Sequence, residues 1–133
     1  MSNSHAVKQI NDQYRSYCDA CESGRLEDVP SFWSLPALFY VDTGEAEVLH
    51  MVVNTNEDMV GLYSQLFGAS TGVDKTEIDS SEVTFYGDRL ATISTELRHL
   101  AGGKLHDRQK AIYGCRKVDG NWVFTSHVSV DLT

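Results

Sequence analysis

The sequence predicts an α+β fold in which a strongly curved, mostly antiparallel sheet wraps around three helices to form a cone-shaped barrel. Residues 74–131 show four long strand-type patterns separated by short turn signals. Two helical patterns, a short hairpin and a third helical pattern precede them. A curved sheet closed over helices leaves a cavity, so this element order predicts a pocket for a small molecule.

Length, charge and cysteine content narrow the possible partners and location. The 133 residues fit a single domain, 1–133, that can bury one core. The net charge of −8 argues against nucleic acid and against an anionic membrane surface, so we expect neither as a partner. The N-terminus lacks the pattern of a signal peptide, and three cysteines suggest no disulfide framework. We therefore expect a cytoplasmic location.

Two helices open the chain. Apolar residues at three- and four-residue steps predict an amphipathic helix over 5–22, which Gly24 is placed to end. A short second helix over about 26–33 must stop before Pro36, because the residue preceding a proline disfavours helical geometry.

A hairpin and a third helix follow. Strand patterns over 37–42 and 46–53 predict the hairpin. Thr55 and Asp58 have the spacing of an N-cap and its N3 partner, and the helix they open stops at Gly68. The stretch 68–74 is the only flexible-looking segment, and we predict that it forms a lid.

The turns between the last four strands give the register of the sheet. Each of them is typical of a two-residue hairpin turn: Gly87-Asp88, Gly102-Gly103 and Asp119-Gly120. Counting outward places His127 and most basic residues on the outer face. The inner face then carries Val83, Thr92, Glu96, Gln109, Tyr113 and Ser126. One bulge would invert the two faces beyond it.

The element order and two local signatures resemble the nuclear transport factor 2-like superfamily, which includes ketosteroid isomerase, SnoaL-like polyketide cyclases and scytalone dehydratase. The signatures are YCDACESGRL at residues 17–26 and VDGNWV at residues 118–123. The resemblance covers essentially the whole chain and implies the fold predicted above, with a homodimer formed across the outer sheet face. It does not imply one function, because the superfamily hosts enzymes, binding modules and transport adaptors.

The isomerase branch of that superfamily implies candidate catalytic residues. It uses a carboxylate base and two donors that stabilise a developing oxyanion. By the resemblance, the donors fall on Tyr17 and Tyr113, whereas the base position falls on Val41, which carries no acid. Counting the first hairpin pairs Phe39 with His50 on the inner face, so His50 is the candidate replacement base.

Further residues are predicted to line the pocket without a catalytic role. Their side chains are aromatic or polar and fall on the faces assigned to the cavity: Tyr14, Trp33, Phe39, Tyr63, Phe67, Thr92, Glu96, Gln109 and Ser126. His99 and His106 would face each other across a turn, but no third ligand has suitable spacing, so we predict no metal. Because no phosphate-binding loop is present, we also predict no cofactor.

Three functions remain open. The first is a cofactor-free isomerase, cyclase or dehydratase that acts on an apolar, ring-bearing metabolite, with His50 or a nearby carboxylate as base. The second is a non-catalytic ligand-binding module with the same pocket. The third is a protein-interaction module that uses the outer sheet face. The enzyme hypothesis requires an acid or base inside the cavity.

Overall fold

The computed structural model describes residues 4–67 and 71–132. It confirms the predicted order of helix, helix, hairpin, helix and four strands. The elements are α1 (Ser4–Glu22), a 3-10 helix (Leu26–Phe32), β1 (Trp33–Asp42), β2 (Leu49–Val53), α2 (Asn56–Leu66), β3 (Lys75–Phe85), β4 (Leu90–Ala101), β5 (Lys104–Val118) and β6 (Asn121–Asp131).

The six strands form one curved sheet in the order β2-β1-β6-β5-β4-β3. All neighbouring strands are antiparallel except β1 and β6, which are parallel. Among the described residues the edge strands β2 and β3 do not pair with each other, so the cone is an open sheet and not a closed barrel. The α+β class with three helices on a curved sheet is confirmed.

Local signals in the sequence explain where the helices begin and end. The Thr55 side chain accepts a 3.0 Å hydrogen bond from the backbone N–H of Asp58, as expected for an N-cap. Gly24 follows α1 with φ +72, and the N–H of Arg25 donates to the Ala20 carbonyl at 2.9 Å, which closes the helix end. The predicted stop at Gly68 lies outside the described residues.

Helix α1 supplies the apolar side of the cavity. Its buried side chains recur at three- and four-residue steps and face the concave side of the sheet: Ile10, Tyr14, Tyr17, Cys18 and Cys21. The concave face of the sheet contributes buried residues at alternate positions of each strand, such as Tyr113 and Phe124. The core therefore lies between α1 and the concave face.

The first turn of the four-strand segment contains three residues and not two. The N–H of Tyr86 donates to the Leu90 carbonyl at 2.9 Å, which leaves residues 87–89 as the loop. The extra residue inverts the faces of β4 relative to the prediction. Thr92 and Glu96 therefore point to the outer face, and their predicted place in the pocket is wrong.

A second irregularity cancels the first. The turn at Gly102-Gly103 has two residues as predicted, because Ala101 pairs with Lys104. The register then shifts between the pairs of His99 and Leu100, since His99 pairs with Asp107 and leaves His106 as the extra residue. The two one-residue shifts in register cancel, so β5 keeps its predicted inner face.

A third irregularity inverts the end of β6. Cys115 pairs with Phe124, but Gly114 pairs with Ser126, which leaves Thr125 as the bulged residue. Ser126 therefore points outward and His127 inward, and both predictions for these residues are wrong. Gly114 makes room for the bulge, because a Cβ there would collide with the Ser126 hydroxyl oxygen and lie 2.9 Å from Oγ1 of Thr125.

The first hairpin also differs from the predicted register by one residue. Phe39 pairs with Met51, and Tyr40 pairs with His50. The His50 ring stacks on Tyr40 with centroids 4.7 Å apart, on the exposed outer face of the sheet. The predicted place of His50 inside the cavity is therefore wrong, because β2 begins at Leu49 and the connecting loop is longer than expected.

Candidate functional site

A cavity of about 210 Å³ lies between α1, the end of α2 and the concave face of the sheet. One end of it, the tyrosine floor, consists of Tyr14, Tyr17, Tyr63 and Tyr113, all at most 4% exposed. The other end, the polar rim, consists of His99, His106, Asp107, Gln109 and Asp131. Leu97, Phe67, Val41 and Val73 line the cavity with apolar surface.

The tyrosine floor is a hydrogen-bonded cluster. The Tyr17 hydroxyl lies 2.5 Å from that of Tyr63 and 3.1 Å from that of Tyr113. Tyr14 bonds instead to Oγ1 of Thr95 at 3.2 Å. Since burial raises the pKa of all four phenols well above the usual value, the floor is uncharged and its hydroxyls keep their protons.

Counting protons shows that the floor retains a donor. Tyr17, Tyr63 and Tyr113 carry three hydroxyl protons, and within residues 4–67 and 71–132 these hydroxyls make two hydrogen bonds. Each bond uses one proton, so one O–H is left whichever way the bonds point. One phenol O–H of this cluster therefore has no acceptor within the cluster.

The polar rim is organised around Asp107. Its two carboxylate oxygens lie 2.7 Å from Nδ1 of His99 and 3.2 Å from Nδ1 of His106. The Gln109 amide connects it to Asp131, to which it donates a 3.1 Å hydrogen bond. Because the side chains of His99 and Asp107 are 15% and 21% exposed, the rim lies nearer to solvent than the floor.

The two rim carboxylates have opposite pKa shifts. Burial favours the neutral form of Asp107, but the hydrogen bonds and charges of His99 and His106 outweigh it and lower its pKa. Burial and the nearby Asp107 charge raise the pKa of Asp131. Asp107 therefore keeps its negative charge to lower pH than Asp131 and orients the imidazole of His99.

His127 lies between the rim and the floor. The bulge in β6 turns its ring inward, where it stacks on Phe39 with centroids 5.3 Å apart and meets the Tyr113 ring edge-on at 4.8 Å. Burial, together with the charge of His99, lowers the pKa of His127 to about 4. The ring is therefore uncharged at neutral pH.

The structure brings together most of the aromatic residues predicted for the site. The predicted site residues that line the cavity are Tyr14, Tyr17, Tyr63, Phe67, Gln109 and Tyr113. Trp33 and Phe39 are buried behind the lining, where they pack against Tyr113 and His127, so they support the wall without forming it. His50, Thr92, Glu96 and Ser126 lie outside the cavity.

The acids and bases of the site were missed by the sequence analysis. His99, Asp107, His127 and Asp131 all line the cavity, whereas Val41, at the base position that the isomerase resemblance implies, lines it with an apolar side chain. A signal for one pair existed, since His99 and Asp107 flank the Gly102-Gly103 turn at positions that can meet across a hairpin. The pairing of His99 with Asp107 itself depends on the bulge at His106, and the inward direction of His127 and Asp131 depends on the bulge at Thr125.

Metal binding and thiol chemistry find little support among the described residues. Among the described residues no three His, Cys, Asp or Glu side chains form a group able to hold a metal ion. Burial raises the pKa of Cys18 to about 12 and raises that of Cys21 as well, so both thiols stay protonated and serve as apolar lining. Neither described α-helix has an apolar stretch of the length that a bilayer crossing requires.

The fold and the cavity define a small α+β protein whose open, curved sheet holds a pocket against its first helix. A family profile described as NTF2-like protein (DUF6841) matches residues 7–132. The chain belongs to this NTF2-like family. No curated protein sequence is significantly similar to it.

Solved structures share the fold at low sequence identity. An NTF2-like protein of unknown function from Pseudomonas putida KT2440 superposes with a TM-score of 0.76 at 16% identity, over 98% of this chain and 88% of the other. A protein from Novosphingobium aromaticivorans, provisionally named a scytalone dehydratase, gives a TM-score of 0.74 at 11% identity, over 98% and 87%. An NTF2-like protein from the same organism, described as having a cystatin-like fold, gives 0.69 at 15% identity, over 95% and 81%.

Proposed function

We propose that this protein binds a small, ring-bearing, mainly apolar molecule in the cavity and moves a proton on it without a cofactor, as an isomerase, cyclase or dehydratase does. The observation that carries the proposal is the position of the His99–Asp107 pair. It places a base on the rim of the same cavity whose floor retains a phenol donor. A base and a donor that face one bound molecule are the two groups that such a reaction needs.

We infer a role for each group from its position. Asp107 accepts the proton of Nδ1 of His99, which leaves Nε2 as the nitrogen that takes a proton from the substrate. The negative charge that develops on a substrate oxygen is stabilised by the spare O–H of the cluster formed by Tyr17, Tyr63 and Tyr113. His99 thus takes the role that the sequence analysis gave to His50.

The size and lining of the cavity restrict the substrate. About 210 Å³ is below the range of roughly 300–1,000 Å³ typical of drug-sized ligands. Aromatic rings and aliphatic side chains cover most of the wall, and the polar groups are concentrated at the rim and the floor. A molecule of one or two rings that carries a carbonyl or hydroxyl group fits these limits.

Proton exchange in deuterated water tests the proposal directly. A series of indanones and tetralones is first tested for thermal stabilisation, and loss of the α-proton signal of bound compounds is then followed by NMR. We expect catalysed exchange that falls about 100-fold or more in His99→Gln and in Asp107→Asn. His50→Gln is the matched control and should keep the full rate, because His50 lies on the outer face.

The possible results separate the alternatives. Binding without catalysed exchange would favour a non-catalytic ligand-binding module. Stabilisation by none of the compounds would contradict both pocket hypotheses and leave protein interaction. Exchange that survives in His99→Gln would show that another group is the base.

We also propose that the outer sheet face forms a homodimer. It carries a group of apolar side chains that are 37–49% exposed on neighbouring strands: Leu38, Tyr40, Val52, Ile112, Val128 and Val130. The register places Val128 between Tyr40 and Ile112, so the patch is continuous. A patch of this kind is typical of an interface, and a two-fold axis through it would let each copy cover the other.

Sedimentation velocity tests the dimer. Val128→Glu should shift the protein from dimer to monomer, whereas Tyr86→Glu, which changes an exposed aromatic residue at the β3–β4 turn, should not. A wild-type monomer would contradict the homodimer and favour a different protein partner for this face. We retain a cytoplasmic location as a proposal, in keeping with three free, buried cysteines.

A further inference from the structure

Ser129, on the concave face of β6, has no part in the proton transfer proposed above, although it lines the same cavity. It is 2% exposed and pairs across the sheet with Ala111 on one side and Val41 on the other. Neither of these side chains carries a hydrogen-bonding group. The Ser129 hydroxyl is therefore a polar group set between apolar neighbours.

This hydroxyl is unpartnered and open to the cavity. Within residues 4–67 and 71–132 the Ser129 side chain forms no hydrogen bond. The unpartnered side-chain atoms of this part of the chain that are closed to water belong to Trp33, Trp122 and His127, and the Ser129 oxygen is not among them. Because an unpartnered oxygen outside that group is accessible to water, the Ser129 hydroxyl opens into the cavity that the residue lines. A hydroxyl placed in this way can both donate a hydrogen bond to a ligand and accept one from it.

Ser129 lies between the floor and the rim. Along β6 it is about 7 Å from His127, which is beside the floor, and from Asp131 of the rim. Thr76 is a second buried residue of the cavity wall whose hydroxyl forms no hydrogen bond among the described residues. It pairs with His99 of the rim, at the opposite end of the cavity from the floor. A small molecule in contact with the floor therefore meets Ser129 and not Thr76.

The charges around the cavity restrict the group that Ser129 can bind. None of the described lining residues is Lys or Arg, and neither type occurs among residues 1–3, 68–70 and 133. The wall instead carries the carboxyl groups of Asp107 and Asp131. A carboxylate or phosphate beside Ser129 would find no compensating charge. An uncharged oxygen is the group that fits.

We propose that Ser129 is a positioning residue of this cavity: its hydroxyl pairs with an uncharged ligand oxygen, a hydroxyl or a carbonyl, other than the one that meets the floor. This inference rests on the proposed function, since it needs the cavity to bind a ring-bearing molecule. It adds the ligand class, ring-bearing molecules with two uncharged oxygens, and the residue that holds the second oxygen. A ring held at two oxygens cannot turn freely, so it presents the same carbon to His99.

Three matched probes test the inference: indane, 1-indanol and indane-1,3-diol. They share one bicyclic skeleton and carry no, one and two uncharged oxygens. In titration calorimetry with the wild-type protein, each hydroxyl should tighten binding about five-fold, the gain of one neutral hydrogen bond, so the diol should bind about 25-fold more tightly than indane. A diol that binds no more tightly than 1-indanol would contradict the second contact.

Removal of the hydroxyl isolates the contact. In Ser129→Ala the advantage of the diol over indane should fall about five-fold, whichever oxygen occupies which site, while the affinity for indane stays nearly unchanged. Ser94→Ala is the matched control, because it removes a hydroxyl from the outer face, and it should keep the full advantage. In a crystal of the wild-type protein soaked with the diol, one ligand oxygen should lie within about 3 Å of Oγ of Ser129. This readout does not depend on any variant.

Thermal unfolding separates a positioning role from a structural one. Thr95 and Ser129 both pair with Ala111, but the Thr95 hydroxyl is bonded to Tyr14 and to the Ala111 carbonyl. Thr95→Val should therefore lower the unfolding temperature by about 3 °C or more, whereas Ser129→Ala should change it by less than about 1 °C. Equal losses in the two variants would show that the Ser129 hydroxyl is structural.

Each failure has a separate meaning. If the wild-type protein binds the probes but Ser129→Ala keeps the full advantage of the diol, the role of Ser129 is wrong while the cavity remains a binding site. The same holds if no oxygen of the bound diol lies near Oγ of Ser129 in the crystal. If the wild-type protein binds none of the three probes, the proposed function fails together with this inference.

Discussion

The tyrosine floor and the polar rim line the same cavity, yet their polar groups are satisfied in different ways. The floor hydroxyls of Tyr17, Tyr63 and Tyr113 bond to one another, are almost fully buried and stay uncharged. The rim imidazole of His99 bonds to an ionised carboxylate, Asp107, and both side chains retain contact with solvent. The floor is part of the core, and the rim is a partly exposed hydrogen-bonded pair attached to it.

The floor and the rim therefore differ in what they contribute to stability and to the proposed reaction. A buried aromatic side chain contributes strongly to folding because it removes a large apolar area from water. A partly exposed hydrogen bond to an ionised carboxylate contributes less, since solvent screens the charge. We therefore expect floor substitutions to change mainly the free energy of unfolding, and rim substitutions to change mainly the reaction.

The largest expected effect is on the floor. Tyr17→Ala should lower the free energy of unfolding by about 3–5 kcal/mol, because it leaves a cavity in the core and breaks two hydrogen bonds. Urea denaturation measures the loss. The matched rim variant, His99→Ala, should cost about 1 kcal/mol. Equal losses in the two variants would show that floor and rim do not differ in this way.

The next largest effect is the change with pH in the free energy of unfolding that His127 causes. Its pKa is lowered from 6.5 to about 4 in the folded protein, so between these pH values the unfolded chain binds a proton that the folded chain does not. The free energy of unfolding should therefore be highest above pH 6.5 and fall as the pH drops to 4. The loss attributable to this group is about 3 kcal/mol.

The comparison with His127→Phe isolates that loss. Asp131, whose pKa is raised, works in the opposite direction, because its folded carboxyl binds a proton at higher pH than the unfolded one. Both proteins contain Asp131, so the difference between their urea-unfolding energies depends on His127. A difference that is the same at pH 7 and pH 4 would mean that His127 is not buried as a neutral ring.

The third effect concerns the bulge that turns His127 inward. Gly114→Ala should destabilise the protein by about 1–3 kcal/mol, because the new Cβ overlaps the hydroxyl groups of Ser126 and Thr125. Gly61→Ala in α2 is the control, since a Cβ there meets nothing within 4 Å. It should stabilise the helix by up to about 1 kcal/mol. Thermal unfolding should thus show shifts of opposite sign.

The smallest effect is expected for Asp107→Asn. Because the pair with His99 is partly exposed, the variant should lose less than about 1 kcal/mol of unfolding free energy at pH 7. The pKa of Asp107 is lowered from 3.8, so its contribution is present above that value and lost as the pH falls through the folded pKa. High salt should reduce the difference from wild type further. A loss of several kcal/mol in urea unfolding would place the rim within the core.

Site residues on helices could be predicted from the sequence more reliably than site residues on strands. Tyr14 and Tyr17 lie on the apolar stripe of α1, and Tyr63 lies on that of α2, so helical periodicity identifies them. Helical periodicity tolerates an error of a residue at either end. Strand periodicity does not, since one extra residue exchanges the two faces.

The errors on the sheet follow from this sensitivity. The three-residue loop at 87–89 and the bulges at His106 and Thr125 each shift the count by one. Tyr113 was placed correctly only because two shifts cancel before it. His127 lies beyond the third shift, and His50 follows a loop longer than a tight turn.

The sequence by itself determined the element order, the α+β class, the helix caps and the apolar face of α1, because local hydrogen bonding and hydrophobic periodicity decide these features. Only the tertiary structure decided that His99, Asp107 and His127 face the cavity while His50 does not. Bulges and loop lengths depend on how neighbouring strands fit together, as Gly114 does with Ser126. The three helical tyrosines of the floor could be foreseen from periodicity, whereas Tyr113 and the rim required the assembled sheet.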